Sequence, residues 1–196
     1  VDSPKRGEVM VKLAACGVCH SDLSAVNGTI PLPPPLVLGH EGAGEVIEVG
    51  EGVTGVAVGD HVVSNFIYMC GKCRFCAGGR PVLCIEQGKA LLTPPEGTPR
   101  TKDKDGQPLN IFSGCGVMAE YATLSVENVV KIDPKIPLDR AALVGCAVTT
   151  GVGAGSAITT VVSRSSAMPL ATLPMTLAVA GAITTTSAHF ASSMCS

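Results

Sequence analysis

The sequence predicts a mainly β domain, a barrel or sandwich with few helices, over residues 1–150. Two observations carry that expectation. Five short runs rich in Val, Ile and Leu recur at 8–15, 44–49, 60–65, 119–124 and 129–132, the length of strands rather than of helices. Glycine-rich turns lie between them, in a chain of 196 residues holding 23 Gly and 14 Pro, the residues that punctuate short strands.

In order along the chain, 8–15 brings Val9, Val11 and Leu13, and 44–49 brings Val46, Ile47 and Val49 just after Gly42 and Gly44. The run 60–65 carries Val62 and Val63 behind Gly59. Residues 85–110 read as a polar loop with Pro94-Pro95, Pro99 and the charged turn Lys102-Asp103-Lys104-Asp105-Gly106. The runs 119–124 and 129–132 complete the β-rich part. Residues 138–150 are expected to form one helix, with Asp139 near its start, where a carboxylate suits the helix dipole. From Ala157 onward Ala, Ser, Thr and Val dominate, no acidic residue follows Asp139, and Arg164 is the only Lys or Arg after Arg140. Neither strand nor helix periodicity runs through this tail, so residues 156–196 are expected to be poorly packed. The apolar stretch 168–183 is shorter than the ~18 residues of a membrane span and is interrupted by Pro174, so no membrane crossing is expected.

With 46% hydrophobic and 15% charged residues and a mean hydropathy of +0.39, the chain is of the folding kind. A net charge of −2 and 3% aromatics without Trp argue against a nucleic-acid partner. Nine cysteines demand an explanation: Cys16, Cys19, Cys70, Cys73, Cys76, Cys84, Cys115, Cys146 and Cys195. The count is odd and residues 1–6 show no apolar secretory run. A reducing, cytoplasmic setting is therefore expected, in which clustered thiols point to metal.

Cys70-Gly71-Lys72-Cys73-Arg74-Phe75-Cys76, with Cys84 after seven more residues, places four thiols in one loop. Two-residue gaps let successive thiolates curl around a single ion, and four thiolates saturate a tetrahedral zinc, so such a site is structural. Two disulfides would conflict with the compartment, and a redox pair would use two thiols rather than four.

Weaker one by one are Gly17-Val18-Cys19-His20-Ser21-Asp22, following a strand, Gly39-His40-Glu41-Gly42-Ala43-Gly44, beginning another, and the distant Gly145-Cys146. His40-Glu41 is not the helical zinc-protease motif, because Gly42 and Gly44 oppose a helix and no second His follows at the required spacing. Together with the four-thiol loop, these residues resemble the zinc-dependent medium-chain alcohol dehydrogenases, near their formaldehyde and aryl-alcohol dehydrogenase branches, over about residues 1–155.

The resemblance implies a GroES-like β-barrel catalytic domain, with the four-cysteine loop projecting from it and two zinc ions per chain. It assigns the catalytic zinc to Cys19, His40 and Cys146, with a fourth position left for water or alcohol. Glu41 would lie behind that metal and assist ligand exchange. Asp22 is read either as acceptor of the second ring N–H of His40 or as a turn residue. Ser21 matches the hydroxyl that takes the first proton, and Ser24 stands where some relatives carry a relay histidine. Phe66 matches a wall of the substrate pocket or is an ordinary core aromatic. His20 matches the position that meets the cofactor pyrophosphate and Thr150 the one beside the nicotinamide. The implied reaction is oxidation of a small alcohol to an aldehyde or ketone, with hydride passing to NAD.

The family's dinucleotide domain carries G-x-G-x-x-G after a strand, with an acidic residue about 20 positions on. No such pattern stands here: Gly151-Val152-Gly153-Ala154-Gly155 is preceded by no β-rich run and followed by no acid. The expectation is a catalytic-domain fragment that begins inside the family's opening strands, with a tail that departs from the family sequence, as a frame change in the coding DNA would produce. Impaired activity is expected of it, and oligomeric state stays open because the family pairs largely through the missing domain. The alternatives are a non-catalytic zinc-binding β-domain or inactive fragment, and an interaction module, since GroES-like barrels also occur in co-chaperonins.

Overall fold

Alternation along the first strand sets the fold. In β1 (Glu8–Gly17), Val9 and Val11 turn inward and are fully buried, while Lys12 and Ala14 are exposed. In this computed structural model, which describes residues 1–95 and 97–164, β1 leads into the short helix α1 (His20–Val26) and the two-residue β2 (Leu36–Val37). Then come β3 (Glu41–Val49) and β4 (His61–Ser64), a single helical turn α2 (Arg74–Ala77), and the short β5 (Asn110–Ile111). The chain continues through β6 (Tyr121–Ser125), β7 (Val129–Lys131), the turn-long α3 (Leu138–Ala141) and α4 (Ala147–Arg164).

Five strands form one antiparallel sheet in the order β6-β1-β3-β4-β7. Its two outermost strands, β6 and β7, are joined only by the 3-10 turn Val126–Asn128. Extended chain spans at most about 3.6 Å per residue, so Ser125 and Val129 stand within about 14 Å of each other. A sheet with that connection has to curl until its edges approach, which is the barrel expected from the sequence. Inside it lie Val9, Val11, Val46, Val62, Cys115, Val117, Ala122, Leu124 and Val129. Each buried aliphatic side chain contributes about 1.5–3 kcal/mol relative to exposure.

The five strand-forming runs all become strands, with bounds shifted by up to three residues. The parallel pair β2–β5 was not foreseen. One expectation is corrected: 138–150 is not one helix. The chain makes α3, then a 3-10 turn Ala142–Gly145, and breaks at Cys146, whose φ of −143° is not helical, before α4 begins. The break has a packing cause. A Cβ on Gly145 would stand 2.7 Å from the Ser64 carbonyl oxygen and 3.4 Å from that of His40, so this point must be glycine pressed against the sheet. The Gly151–Gly155 run lies within α4, a helix interior rather than a phosphate-cradling turn.

A buried ion pair fastens the loop 85–110. Arg100 Nε and Nη2 donate to the two Glu8 carboxylate oxygens at 2.7 and 2.8 Å, and both residues are almost completely buried. A bidentate charge-assisted pair of this kind fixes geometry as well as energy.

The chain divides into two units, Val1–Ala147 and Val148–Ser196. Among the described residues no helix is long and apolar enough to cross a membrane. The apolar stretch 168–183 and most of the tail expected to be poorly packed lie outside the described residues.

Candidate metal centres

The four-cysteine loop closes on itself. Cys70, Cys73, Cys76 and Cys84 bring their sulfurs within 4.8 Å of one another. Cys73 caps α2, and its Sγ accepts from the Cys76 N–H at 3.5 Å, while Cys84 Sγ accepts from the Cys70 N–H at 3.4 Å. These amides favour the thiolate. The Cys76 N–H is the chief cause holding the Cys73 thiol at about 6, and the Cys70 N–H lowers that of Cys84. Cys76 moves the other way, to about 12, through desolvation and then its hydrogen bond with Cys73. Arg74 and Arg80 place their guanidinium carbons 4.8 and 5.7 Å from the Phe75 ring centroid, adding positive charge to a thiol-rich loop.

The second cluster is assembled from distant parts of the chain. Cys19 stands at the N-terminus of α1, His40 and Glu41 at the start of β3, and Cys146 at the break before α4. One ligand atom from each lies within 4.8 Å of the other three. Tetrahedral zinc with Zn–S bonds of about 2.3 Å sets its sulfurs about 3.8 Å apart, so the cluster has the dimensions for one ion. His40 and Glu41 are each 2% exposed and Cys146 8%. Three nitrogen or sulfur donors plus a carboxylate, three of the four residues buried and Cys19 half-buried, match the chemistry of zinc.

Asp22 organises this cluster from beneath. It is 3% exposed; Oδ2 accepts from the Cys19 N–H and Oδ1 from the Gly39 N–H, both at 3.0 Å. Its Oδ1 is also 3.4 Å from His40 Nδ1, which makes no hydrogen bond. The turn at Cys19 is closed by Asp22, while towards the histidine it shows proximity and no hydrogen bond. Glu41 fits because its strand neighbour is Gly17, where a Cβ would stand 2.5 Å from Glu41 Oε2.

Around these groups, Ser21 Oγ lies 3.7 Å from Cys19 Sγ. His20 is exposed on α1, and the buried Ser24 sits one turn on with its Oγ 3.3 Å from His20 Nδ1. Phe66 presents its ring to His40 edge-to-face at 5.5 Å, and it also packs against the barrel core. Thr150 lies in α4, in the second unit. Two residues escaped the sequence reading. Phe112 flanks His40 edge-to-face at 5.3 Å, and Ser64 binds the backbone on both sides of Glu41. A polar residue ending the apolar run of β4 was the only sequence signal for Ser64.

Comparison with known proteins agrees with this arrangement. The alcohol dehydrogenase GroES-like domain family matches residues 5–134, and the chain belongs to that family. It is 45% identical over 159 residues to an S-(hydroxymethyl)glutathione dehydrogenase of Escherichia coli O6:H1, covering 79% of this chain and 42% of the relative. Among solved structures, the fold is similar to an alcohol dehydrogenase zinc-binding domain protein from Burkholderia ambifaria at 37% identity and a TM-score of 0.74, covering 79% of this chain and 42% of that one. It is also similar to benzyl alcohol dehydrogenase from Acinetobacter calcoaceticus at 35% identity and a TM-score of 0.67, covering 79% and 41%. The chain thus spans less than half the length of these relatives.

Proposed function

We propose that this chain supplies the metal-binding catalytic domain of a zinc-dependent alcohol dehydrogenase that oxidises a small alcohol and passes hydride to NAD. One observation carries the reading: Cys19, His40 and Cys146, separated by up to 127 positions, bring ligand atoms within 4.8 Å of one another. These three residues would hold the catalytic zinc, and Cys70, Cys73, Cys76 and Cys84 a structural one. When bound, zinc at the three-residue site supplies a Lewis acid that polarises an alcohol oxygen.

The chain's own residues do the rest. Asp22 fixes the ring of His40 and the backbone that carries Cys19. Glu41, in reach of the same point, supplies a carboxylate that can take a ligand position while substrate exchanges. Ser21 sets a hydroxyl beside Cys19, placed to receive the substrate's proton. Phe66 and Phe112 give the site apolar edges that exclude water and favour the carbon part of an alcohol. His20, exposed on α1, offers a ring to the cofactor's phosphates.

Adding NAD and a primary alcohol to the zinc-loaded protein and following NADH absorbance tests the activity. Turnover that disappears on Cys146→Ala supports the reading. Two bound zinc ions with no turnover and no saturable NAD binding favour the alternative, a zinc-binding β-domain without catalysis.

A further inference from the structure

The register of β3 against β4 stops one step short of the site. Paired residues are Glu45↔His61, Gly44↔Val62 and Ala43↔Val63. The next step would set Gly42 against Ser64, but there the side chain takes over from the backbone ladder. The Ser64 hydroxyl accepts from the Gly42 N–H at 2.8 Å and donates to the His40 carbonyl at 2.8 Å. A hydroxyl has one donor and two acceptor sites, so it can bridge in this way where a second strand cannot. Ser64 is 4% exposed, and both of these hydrogen bonds are buried.

This bridge spans the two peptide groups around Glu41. Gly145 packs against the same place: its Cβ position is 2.7 Å from the Ser64 carbonyl, 3.4 Å from that of His40 and 3.6 Å from Glu41 Cα. Cys146 follows directly. Ser64 therefore adjoins the segments that carry His40, Glu41 and Cys146, its hydroxyl on the backbone of residues 40–42 and its own carbonyl beside Gly145, the residue before Cys146.

We propose that Ser64 is a positioning residue: its bridging hydroxyl fixes the backbone of residues 40–42 against the strand whose Ser64 carbonyl abuts Gly145, and so sets the spacing of His40 and Cys146 for one shared metal ion. The inference rests on the zinc-site reading and adds to it a residue that touches neither metal nor substrate. Removing a partner that orients ligands typically costs about 10–100-fold in metal affinity.

Cobalt tests this, because thiolate-bound cobalt has charge-transfer and visible bands that report its ligands. The 196-residue chain and its Cys146→Ala variant are titrated with cobalt, and their difference spectrum isolates the three-residue site from the four-cysteine loop. No difference between these two would overturn the zinc-site reading itself. Given a difference, Ser64→Ala is expected to shift its titration midpoint by about 10-fold or more while the loop's bands stay unchanged, and Ser64→Thr to restore it. A Ser64→Ala midpoint within about two-fold of the parent overturns the proposal, since ligand orientation is worth more than that. Loss of the loop's bands as well would assign Ser64 to general folding, and a Thr that restores nothing would assign the loss to packing. Either result overturns it.

Discussion

Replacing Asp22 with alanine separates a turn residue from a metal-site residue by size of effect. The carboxylate is buried and accepts two backbone N–H groups, from Cys19 and Gly39, at 3.0 Å each. Stranding the buried Gly39 donor costs about 1–3 kcal/mol and the part-buried Cys19 donor less, so the loss of both amounts to about 1–4 kcal/mol. Asp22→Asn keeps one side-chain oxygen and presents an NH2 to the other amide, so it should lose about half as much. Both amides belong to segments carrying ligands, so the same substitution should weaken zinc at the Cys19–His40–Cys146 site by about 10–100-fold. Urea unfolding of the metal-free protein reads the first quantity, and competition with a coloured chelator reads the second. A destabilisation below about 0.5 kcal/mol, with zinc affinity unchanged, would refute the reasoning, because a satisfied buried carboxylate cannot be that cheap to remove.

Three further outcomes are expected. Arg100→Ala leaves Glu8 charged and unpaired in the interior and should cost about 3–5 kcal/mol in urea unfolding, with the double replacement Glu8→Leu and Arg100→Met recovering most of it. Gly145→Ala, whose new Cβ would stand 2.7 Å from the Ser64 carbonyl, should displace Cys146 and reduce bound zinc by one ion per chain on metal analysis, sparing the ion of the four-cysteine loop. Burial pushes the Cys115 thiol up to about 12. The folded state then keeps a proton that the unfolded state releases, so its contribution is full below about pH 8.5 and is lost as pH rises towards 12. A Cys115→Ala variant should flatten the alkaline fall in unfolding free energy, and an unchanged fall would count against the assignment.

The strands were legible because a half-buried sheet leaves its mark residue by residue: Val9 and Val11 are buried while Lys12 and Ala14 are exposed, and glycine separates the runs. The four-cysteine loop was equally plain, since its ligands are close in sequence and local turns bring them together. What local pattern did not carry was convergence over long distances. The spacing of Cys19, His40 and Cys146 says nothing by itself, and their assignment came from resemblance to a family. The helix expected at 138–150 failed for the same reason: its residues suit a helix, but contact between Gly145 and the sheet forces a break that only tertiary structure shows. Likewise Leu36–Val37 follows three prolines and pairs with a two-residue strand more than 70 positions away, too short for any periodicity.

X-ray absorption at the zinc edge of the fully loaded chain tests the central claim most directly. Six cysteines and one histidine shared between two ions should appear as an average of three sulfurs per zinc with a clear imidazole contribution. A single zinc per chain, surrounded by four sulfurs and no imidazole, would contradict the account.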